Sequence, residues 1–515
     1  MTFDGFDEEA SMKKSRFVEF FTDNTVLCLL GLALFLLHMF TNHRYGFHQD
    51  EMVVVDNAYH LAWGYVEYPP LTPFLARLSI SLFGLTLVSA RMFSALAQSI
   101  AMVLAGLMAR ELGGKRMAQV VAALVAAISP IAMAWGAAVT YVTFDFLWTV
   151  LLAYLVIRLL RSEDPRLWLG IGAVIGLGMM TKYTMAFFTV GIGGAVLLTD
   201  ARRSLKSPWL WGGIAVSVLI FLPNLLWQVQ HDFISLDFLA NIHKRDVEIG
   251  RTSSYLIDQL TSCANPFFIP MWISGLGYYL FKEAGRRFRA VGWMYVIPFL
   301  LYLVTQGRGY YMACAYPMLI AAGAVAWEGG LLSASADKAR SMLRSVWGGI
   351  AAGTLLSGAL TLPIAPINSA WWDVVAKIND SFTEQIGWDE MVKRVGEVYA
   401  GLPAEDQART GILTGENDEA AALNIYGREY GLPQAISPSD TFWLRGYGNP
   451  PPEMVIIVGF ERQYVNYLFE DCTVVGTTRN SYGVENDLAD PPDIYFCRKA
   501  RLPWDIIWNR TKHYS

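Results

Sequence analysis

Residues 25–51 read TVLCLLGLALFLLHMFTNHRYGFHQDE, an apolar run that ends at Thr41 and is followed by two adjacent carboxylates, Asp50 and Glu51. A helix needs about 20 mostly apolar residues to cross the hydrocarbon core of a membrane. This stretch therefore predicts a first membrane span that leads into an acidic loop. Two neighbouring acids at a membrane surface indicate a loop with a chemical role rather than a simple connector.

The whole chain has the composition of a protein that crosses the membrane repeatedly. Hydrophobic residues make up 54% of the sequence, charged residues only 17%, and the mean hydropathy is +0.33. An average soluble protein is about a quarter charged. Long apolar runs alternate with short basic patches as far as Pro363, and the remaining tail resembles a soluble protein. Nothing in the net charge of −5 indicates a nucleic-acid partner.

We predict a polytopic α-helical membrane protein with about eleven transmembrane helices and a C-terminal soluble α/β domain. The membrane domain covers residues 1–364 and includes a large first outer loop, 42–90, and the soluble domain covers residues 365–515. Residues 71–83 are too short to span alone and are compatible with a re-entrant segment. The predicted spans are 25–41, 91–109, 117–135, 143–160, 167–180, 184–199, 209–227, 265–281, 291–305, 310–327 and 346–362.

Lysine and arginine recur at every second loop, and loops rich in these residues are usually cytoplasmic. The pattern predicts a multi-pass inner-membrane protein with a cytoplasmic N-terminus and with loop 42–90 and the tail outside the cytoplasm. The acidic stretch 4–9 and the long first span predict an uncleaved anchor. The basic clusters are Lys13, Lys14 and Arg16; Arg110, Lys115 and Arg116; Arg158, Arg161 and Arg166; Arg202, Arg203 and Lys206; Lys282, Arg286, Arg287 and Arg289; and Lys338, Arg340 and Arg344.

The tail carries the signals of a compact α/β domain. Residues 454–459 form a short apolar run after turn-forming prolines, which predicts a buried strand, and residues 383–399 have helical periodicity. Cys472 and Cys497 are predicted to lie in an oxidising compartment, where a disulfide closing about 25 residues would contribute on the order of 3 kcal/mol. Two buried thiols are the alternative. The three remaining cysteines are predicted to be packing residues: Cys28, Cys263 and Cys314.

The first outer loop concentrates ionisable and aromatic side chains. Apolar residues at positions 52, 55, 59 and 63 share one helical face, which predicts a helix in the membrane interface with that face toward lipid. Asp50 and Glu51 would begin this helix, where its dipole favours anions. Each is therefore a candidate functional acid and equally a candidate helix cap. His48 and His60 flank the acids at a spacing that matches no metal motif.

Further candidates lie at the same predicted side of the membrane. Asp145, at the outer end of the fourth span, either faces a substrate path or caps its helix. Lys182 and Arg308 are unexpected on an outer face, and a lipid phosphate or diphosphate is a natural partner for both. Binding of lipid headgroups by snorkelling side chains is the alternative. The basic run 243–245 is interpreted as a solvated face.

The order of these motifs resembles the GT-C superfamily of membrane glycosyltransferases. The likeness is to the bacterial relatives of dolichyl-phosphate-mannose-protein mannosyltransferases and of the lipid A aminoarabinose transferase (glycosyltransferase families 39 and 83). It extends into the tail at residues 415–417, 424–426, 430–433 and 482–486. In the membrane domain the motifs are Asp50-Glu51, Tyr68-Pro69-Pro70-Leu71, Asp145, Thr181-Lys182-Tyr183 and Arg308 with Tyr310-Tyr311.

The resemblance implies an inverting glycosyltransferase that moves a sugar from a polyprenyl-phosphate donor to a lipid, glycan or protein acceptor outside the cytoplasm. By this resemblance Asp50 binds or deprotonates the acceptor, Glu51 is its orienting partner, and Asp145 is a second acid on the cavity wall. No cofactor is expected to be required, because the lipid phosphate is already a fair leaving group; a divalent metal is compatible with the sequence but not indicated. Donor-phosphate binding is assigned to Lys182, Arg308, Tyr310 and Tyr311, and the substrate cavity to His48, Tyr68, Pro69, Pro70 and His243.

One departure from the family pattern concerns the donor site. The aminoarabinose transferase has a phosphate-binding lysine near its proline motif, whereas Glu67 precedes Tyr68 here. The donor and acceptor therefore need not be the same. The main competing function is a transporter or flippase of a lipid-linked sugar, although the chain has no visible repeat of the kind found in many transporters. Two further candidates are a lipid-sugar hydrolase and a binding module centred on the tail. The sugar itself is not identified.

Overall fold

The computed structural model describes residues 23–489 and 491–515, so the predictions for residues 1–22 lie outside the described residues. The α-helices are α1 Thr25–Thr41, α2 Gln49–Tyr59, α3 Leu71–Phe83, α4 Leu87–Glu111, α5 Arg116–Ala127, α6 Pro130–Trp135, α7 Tyr141–Ser162, α8 Leu167–Met179, α9 Met185–Leu198, α10 Pro208–Gln230, α11 Ile234–Glu248, α12 Tyr255–Thr261, α13 Ile269–Phe281, α14 Arg289–Val304, α15 Tyr316–Leu332 and α16 Ala336–Thr361. In the tail they are α17 Ala370–Ile378, α18 Trp388–Ala400, α19 Ala404–Gln407, α20 Asn417–Tyr426, α21 Asp440–Arg445, α22 Arg462–Leu468 and α23 Trp504–Thr511.

Every predicted span overlaps a helix of the bundle. Five helical stretches of the described residues are long and apolar enough to cross a membrane, and a sixth joins α9 to the bent segment Asp200–Lys206. The predicted span 117–135 is divided into α5 and α6, because the helix ends before Pro130. Segment 71–83 forms the separate helix α3. The expected total of eleven crossings stays a prediction.

Close helix contacts in the bundle depend on glycine. A methyl group added to Gly275 of α13 would lie 1.9 Å from the Leu319 carbonyl oxygen of α15, and one added to Gly323 of α15 would lie 2.0 Å from the Met271 carbonyl oxygen. Small residues allow helix backbones to approach in this way in membranes. By contrast, only 17% of the apolar window of α10 is buried inside the protein. Its exposed leucine, valine and tryptophan side chains are suited to contact with lipid.

The tail contains a four-stranded mixed sheet with helices packed against it. The strands are β1 Thr410–Thr414, β2 Met454–Val458, β3 Phe469–Thr477 and β4 Asp493–Ala500, in the order β1-β2-β4-β3. The predicted strand at 454–459 is confirmed as β2, and all five of its residues are buried. The helix predicted at 383–399 begins only at Trp388, because Gly387 adopts φ +96° and residues before it form a 3₁₀ turn.

Cys472 and Cys497 face each other across β3 and β4 and are joined by a disulfide. The disulfide closes a loop of 25 residues, which agrees with the predicted loop length. Cys263 and Cys314 are buried free thiols in the bundle, and Cys28 is half-buried. These three positions agree with packing roles.

The prediction that α2 lies in the membrane interface, facing lipid, is wrong. Residues 51–58 are all buried, and α2 packs against α20 of the tail. The predicted helix is present, but its apolar face is covered by the tail and not by lipid. Because the tail folds back onto the first outer loop, that loop lies between the bundle and the tail.

Polar contacts fix the tail to the loop. Asp56 of α2 accepts a hydrogen bond from Asn424 Nδ2 at 3.0 Å and pairs with Arg445. Glu67, beside the proline motif, accepts hydrogen bonds from the backbone amide and the hydroxyl of Thr441. Glu67 therefore anchors the tail to the first outer loop.

Within the tail, His513 and Glu416 form a pair that is expected to make the stability of the tail depend on pH. His513 Nε2 lies 3.3 Å from Glu416 Oε2, and its Nδ1 lies 2.8 Å from the Thr511 carbonyl oxygen. Burial alone would lower the pKa of His513, but the hydrogen bond and charge of Glu416 raise it to about 9. A raised pKa adds stability that is fully present below the unfolded value of about 6.5 and is lost as pH rises through about 9.

We expect the tail to become less protected between pH 6.5 and 9, and His513→Gln to flatten this dependence because the charged imidazole is lost. Hydrogen exchange of β1 amides in the detergent-solubilised protein measures the effect. His43→Gln, at an exposed histidine outside the tail, serves as the control and should keep the wild-type profile. An unchanged profile in His513→Gln would contradict the assignment.

Candidate active site

Asp50 is the exposed acid of the pair. It is the second residue of α2, and among the described residues its carboxylate has no hydrogen-bond or ion-pair partner. The carboxylate interacts electrostatically with the hydroxyl groups of Tyr141 and Tyr310. The Asp50 carboxylate is thus free to bind a ligand at the end of the bundle that carries Tyr141 and Tyr310.

Glu51 has the opposite environment. Its Oε2 accepts a hydrogen bond from the His48 amide at 2.9 Å, while His48 Nδ1 accepts one from the Asp50 amide at 3.1 Å, forming a capping box. Its Oε1 accepts from the Val139 amide at 2.8 Å. Glu51 is fully buried and joins the start of α2 to the segment before α7, so its geometry is that of a positioning residue.

The partner of Glu51 is Arg91, on α4. Its Nε lies 2.9 Å from Glu51 Oε1 and its Nη2 lies 2.6 Å from Oε2, and both side chains are fully buried. Burial alone would raise the pKa of Glu51, but the charge and hydrogen bonds of Arg91 lower it below its ordinary value. Arg91 also donates to the carbonyl oxygens of Asn42 and Gly46, at 3.0 and 2.7 Å.

The sequence pattern does not identify Arg91 as the partner of a buried acid; it places Arg91 only as the first residue of the predicted span 91–109. The signal was available: an arginine at the outer end of an apolar helix is costly unless it is paired. Its position, however, did not identify the acid that pairs with it. The two residues are separated by 40 positions, and only the fold brings them together.

Lys182 lies in a cage of aromatic rings. Its Nζ is 4.3 Å from the ring centroid of Tyr311, 5.0 Å from that of Tyr141 and 5.3 Å from that of Tyr310. Within the described part of the chain, no carboxylate lies within ion-pair distance of Lys182. Cation–π contacts hold an ammonium group in place without neutralising it, so Lys182 remains available to an anion.

The proline motif supports the segment that carries Lys182. The amide of Leu71, directly after Tyr68-Pro69-Pro70, donates to the Met180 carbonyl oxygen at 2.9 Å. Tyr68 accepts a hydrogen bond from Asn57 Nδ2 at 2.7 Å, and its ring lies 5.3 Å from that of Tyr141. All three motif residues are buried. The motif therefore fixes the distance between α2 and the Lys182 turn.

Asp145 lies one helical turn below Tyr141 on α7. It accepts a hydrogen bond from Thr184 Oγ1 at 2.9 Å, and it interacts electrostatically with Lys182. Its Oδ1 is buried with no hydrogen-bond partner among the described residues. Asp145 is the fifth residue of α7, beyond the N-cap Thr140, so it does not cap the helix. It forms the inner wall of the site behind Lys182.

Arg308 extends the basic side of the site. It forms a two-point ion pair with Asp246 of α11, with Nε–Oδ2 at 2.5 Å and Nη2–Oδ1 at 2.8 Å. Burial would lower the pKa of Arg308, but Tyr310 and Asp246 raise it further above its ordinary value. Its Nη1 donates to the Tyr310 hydroxyl at 3.3 Å. Arg308 therefore reaches the site through Tyr310 rather than as a free cation.

Two predicted residues lie at the edge of this arrangement. His243 is exposed on α11, three positions before Asp246, and His48 is committed to the start of α2. His60 contacts Asp56 and so does not approach His48. Among the described residues there is no group of three or more histidine, cysteine, aspartate or glutamate side chains placed to hold a metal ion. The metal prediction stays a prediction.

Tyr310 is the common point of the site. The charges of Lys182, Arg308 and Asp50 all act on its hydroxyl group. One free carboxylate and two cations therefore act on the same hydroxyl group at the end of an apolar bundle, where a lipid-borne anion and a polar group can meet. Such an arrangement can accept a proton on one side and stabilise negative charge on the other.

Comparison with known proteins agrees with this architecture. Residues 67–227 match the family model described as dolichyl-phosphate-mannose-protein mannosyltransferase. A lipid A galacturonosyltransferase, RgtD, from Rhizobium johnstonii is 27% identical over 209 residues, covering 40% of this chain. The chain aligns with only 44% of the length of that relative.

Crystal structures of ArnT from Cupriavidus metallidurans share the fold. The structures bound to undecaprenyl phosphate and in the apo state each give a TM-score of 0.59 at 14% sequence identity. Each alignment covers 92% of this chain and 98% of the other, and so includes the membrane bundle and most of the tail. At this identity the likeness concerns the arrangement of helices and strands.

Proposed function

We propose that this chain is a glycosyltransferase of the GT-C superfamily, which transfers a sugar from a polyprenyl-phosphate donor to an acceptor outside the cytoplasm. Its family-model, relative and fold matches support this proposal. One observation supports the proposal: the charge of the unpaired Asp50 carboxylate and the charge of the caged Lys182 ammonium group both act on the hydroxyl group of Tyr310. The crystal structure of ArnT with undecaprenyl phosphate makes a prenyl-linked anion a reasonable ligand for the basic side.

The proposed reaction is a single displacement with inversion. The acceptor oxygen attacks the anomeric carbon, the bond from that carbon to the phosphate oxygen breaks, and polyprenyl phosphate leaves with the electron pair. Asp50 takes the acceptor proton as a general base. Lys182 and Arg308 stabilise the charge that grows on the phosphate, with Tyr310 and Tyr311 holding the cations in place. Glu51 orients Asp50 through α2.

The acceptor is proposed to be a glycolipid, because the curated relative is a lipid A galacturonosyltransferase. Asp145 is proposed to line the cavity behind Lys182, where its partnerless oxygen is available to the sugar hydroxyls. The tail contacts the first outer loop through α20 and α21, and we propose that it influences acceptor choice from there.

A purified-protein assay tests the function. The protein in detergent is incubated with undecaprenyl phosphate carrying galacturonic acid, an aminopentose or mannose, and with lipid A, and both products are followed by mass spectrometry. Glycosylated acceptor together with released undecaprenyl phosphate supports the proposal. Release without a glycosylated acceptor would indicate a hydrolase. If folded protein consumes no donor, transferase chemistry is contradicted and a flippase, which needs a sealed membrane, is favoured.

Lys182→Met is expected to lower turnover by about 10²-fold, since it removes one group that stabilises the leaving phosphate. The variant should also bind undecaprenyl phosphate more weakly, measured as product inhibition. Lys244→Met is a matched control, because Lys244 lies on α11 with a 76% exposed side chain and only a 3.9 Å contact to Glu248. Equal activity in the two variants would remove Lys182 from the donor site.

A further inference from the structure

A large cavity lies at the end of the bundle opposite to the candidate active site. It has a volume of about 1370 Å³ and is bounded by the C-terminal ends of α7 and α9 and by the segment that joins α13 to α14. Ligand sites commonly occupy about 300–1,000 Å³, so this space is large enough for a sizeable amphiphile. Its walls include Leu159, Ile192, Val196 and Trp293.

This cavity is separate from the candidate active site. Tyr141, at the first residue of α7, belongs to the active site, whereas Leu159 and Leu160, near the last residue, line the cavity. At 1.5 Å per residue, α7 separates the two by roughly 30 Å, about the thickness of the hydrocarbon core. The cavity therefore faces the opposite leaflet, which the distribution of basic clusters predicts to be the cytoplasmic one.

The cavity combines apolar walls with a strongly basic rim. Five arginines line it, and two basic clusters that are distant in sequence are brought together there: Arg202 and Arg203 from one, and Arg286, Arg287 and Arg289 from the second. Three carboxylates also line the cavity, of which Glu163 pairs with Arg287 at 2.5 Å and Glu283 with Arg286 at 3.3 Å.

Three of the arginines are not neutralised. Among the described residues, Arg202, Arg203 and Arg289 have no ion-pair or side-chain hydrogen-bond partner. The Nε of Arg289 is buried and has no partner. Arginine binds phosphate oxygens with two parallel hydrogen bonds, and a buried donor without a partner has a free-energy cost. Arg289 Nε is such a donor, while Arg202 and Arg203 are exposed and carry free positive charge. The rim can therefore bind an anion.

The backbone after α9 places Arg202 and Arg203 at the membrane surface. After α9 the chain bends by 101° into the 3₁₀ segment Asp200–Lys206, which carries Arg202 and Arg203. A segment turned across the helix axes lies along the membrane plane. Trp211, whose Nε1 donates to the Leu205 carbonyl oxygen at 3.0 Å, is exposed beside it. Tryptophan and arginine together are typical of the headgroup region.

We propose that this cavity binds an anionic glycerophospholipid of that leaflet. The phosphate lies among Arg202, Arg203 and Arg289, and the acyl chains lie along the leucine, isoleucine and tryptophan wall. Basic pockets between transmembrane helices bind acidic lipid headgroups by this combination of charge and apolar surface. Through the three unpaired arginines, the bound lipid would link α14 to the bent segment that follows α9.

Native mass spectrometry of the full chain released from nanodiscs tests the proposal. The protein is placed in phosphatidylcholine nanodiscs containing phosphatidylglycerol, and the lipids that stay bound are counted. The triple variant R202Q/R203Q/R289Q should lose one tightly bound phosphatidylglycerol, with affinity falling about fivefold for each arginine removed. The melting temperature in detergent should rise with added phosphatidylglycerol in the wild type but not in the variant.

The control removes the same charge from the same predicted face. K338Q/R340Q/R344Q changes three cations at the start of α16, which do not line the cavity, and should keep the bound lipid. R289Q alone provides a milder variant if the triple one folds poorly. Equal phosphatidylglycerol retention in wild type, R289Q and the triple variant overturns the proposal. Displacement of the lipid by undecaprenyl phosphate at equal concentration would overturn the glycerophospholipid assignment and identify a prenyl-phosphate site instead.

Discussion

The Asp50→Asn variant is expected to lose sugar transfer by about 10³-fold while keeping its fold and its affinity for undecaprenyl phosphate. A positioned general base typically contributes about 10²–10⁴-fold to a rate, and an amide at this position cannot accept the acceptor proton. The carboxylate of Asp50 is exposed and has no hydrogen-bond partner among the described residues. Its replacement therefore removes chemistry without leaving a buried group unpaired.

Asp389→Asn is the matched control for this experiment. Asp389 is an exposed aspartate at the second position of α18, as Asp50 is at the second position of α2. Both variants lose one charge from a helix N-terminus, worth about 0.3–1 kcal/mol at an exposed site. Only Asp50→Asn should lose turnover. Near-normal transfer by Asp50→Asn, measured with the natural lipid donor, would remove this residue from the role of base.

Replacement of Arg91 by methionine is expected to destabilise the protein by about 3–5 kcal/mol, because it leaves the carboxylate of Glu51 buried without its charge partner. It also removes the hydrogen bonds to the carbonyl oxygens of Asn42 and Gly46. Activity should fall together with stability, since the start of α2, and with it Asp50, is no longer held. The melting temperature in detergent and the transfer rate are measured on the same preparation.

Two further variants test whether the loss of stability in Arg91→Met comes from the unpaired charge of Glu51. Arg110→Met changes an arginine on the same helix whose side chain is 42% exposed and lies 3.5 Å from Asp23, so a loss of at most about 1 kcal/mol is expected. The double variant E51L/R91M removes both buried charges and should regain stability but not activity. A fully active, fully stable Arg91→Met protein would show that the pair does not position Asp50.

The Glu51–Arg91 pair also predicts how the protein responds to acid. Because the pKa of Glu51 is lowered in the folded state, its contribution to stability is present above the ordinary glutamate value of about 4.3 and is lost as pH falls through the lowered value. The His513–Glu416 pair acts at the opposite end of the range. The protein as a whole is thus expected to be most stable at intermediate pH.

The sequence by itself determined the features that depend on local pattern. Apolar runs of sufficient length located the helices of the bundle, and the apolar run at 454–459 located β2. It also selected Asp50, Lys182 and Arg308, whose charges act on Tyr310. Asp145, which interacts with Lys182, was selected as well. Helix length and strand hydrophobicity are properties of neighbouring residues, so they can be read without knowing what packs against them.

The tertiary structure alone decided which faces are covered and which charges are paired. The apolar side of α2 looked the same whether lipid or the tail covered it, and only the packing of α20 settled the choice. Arg91 pairs with Glu51, which is 40 positions away in the sequence. Lys182 lies among three tyrosine rings, and arginines of two separate basic clusters line one cavity. Such contacts depend on how helices distant in sequence are arranged in space, and no local pattern records that arrangement.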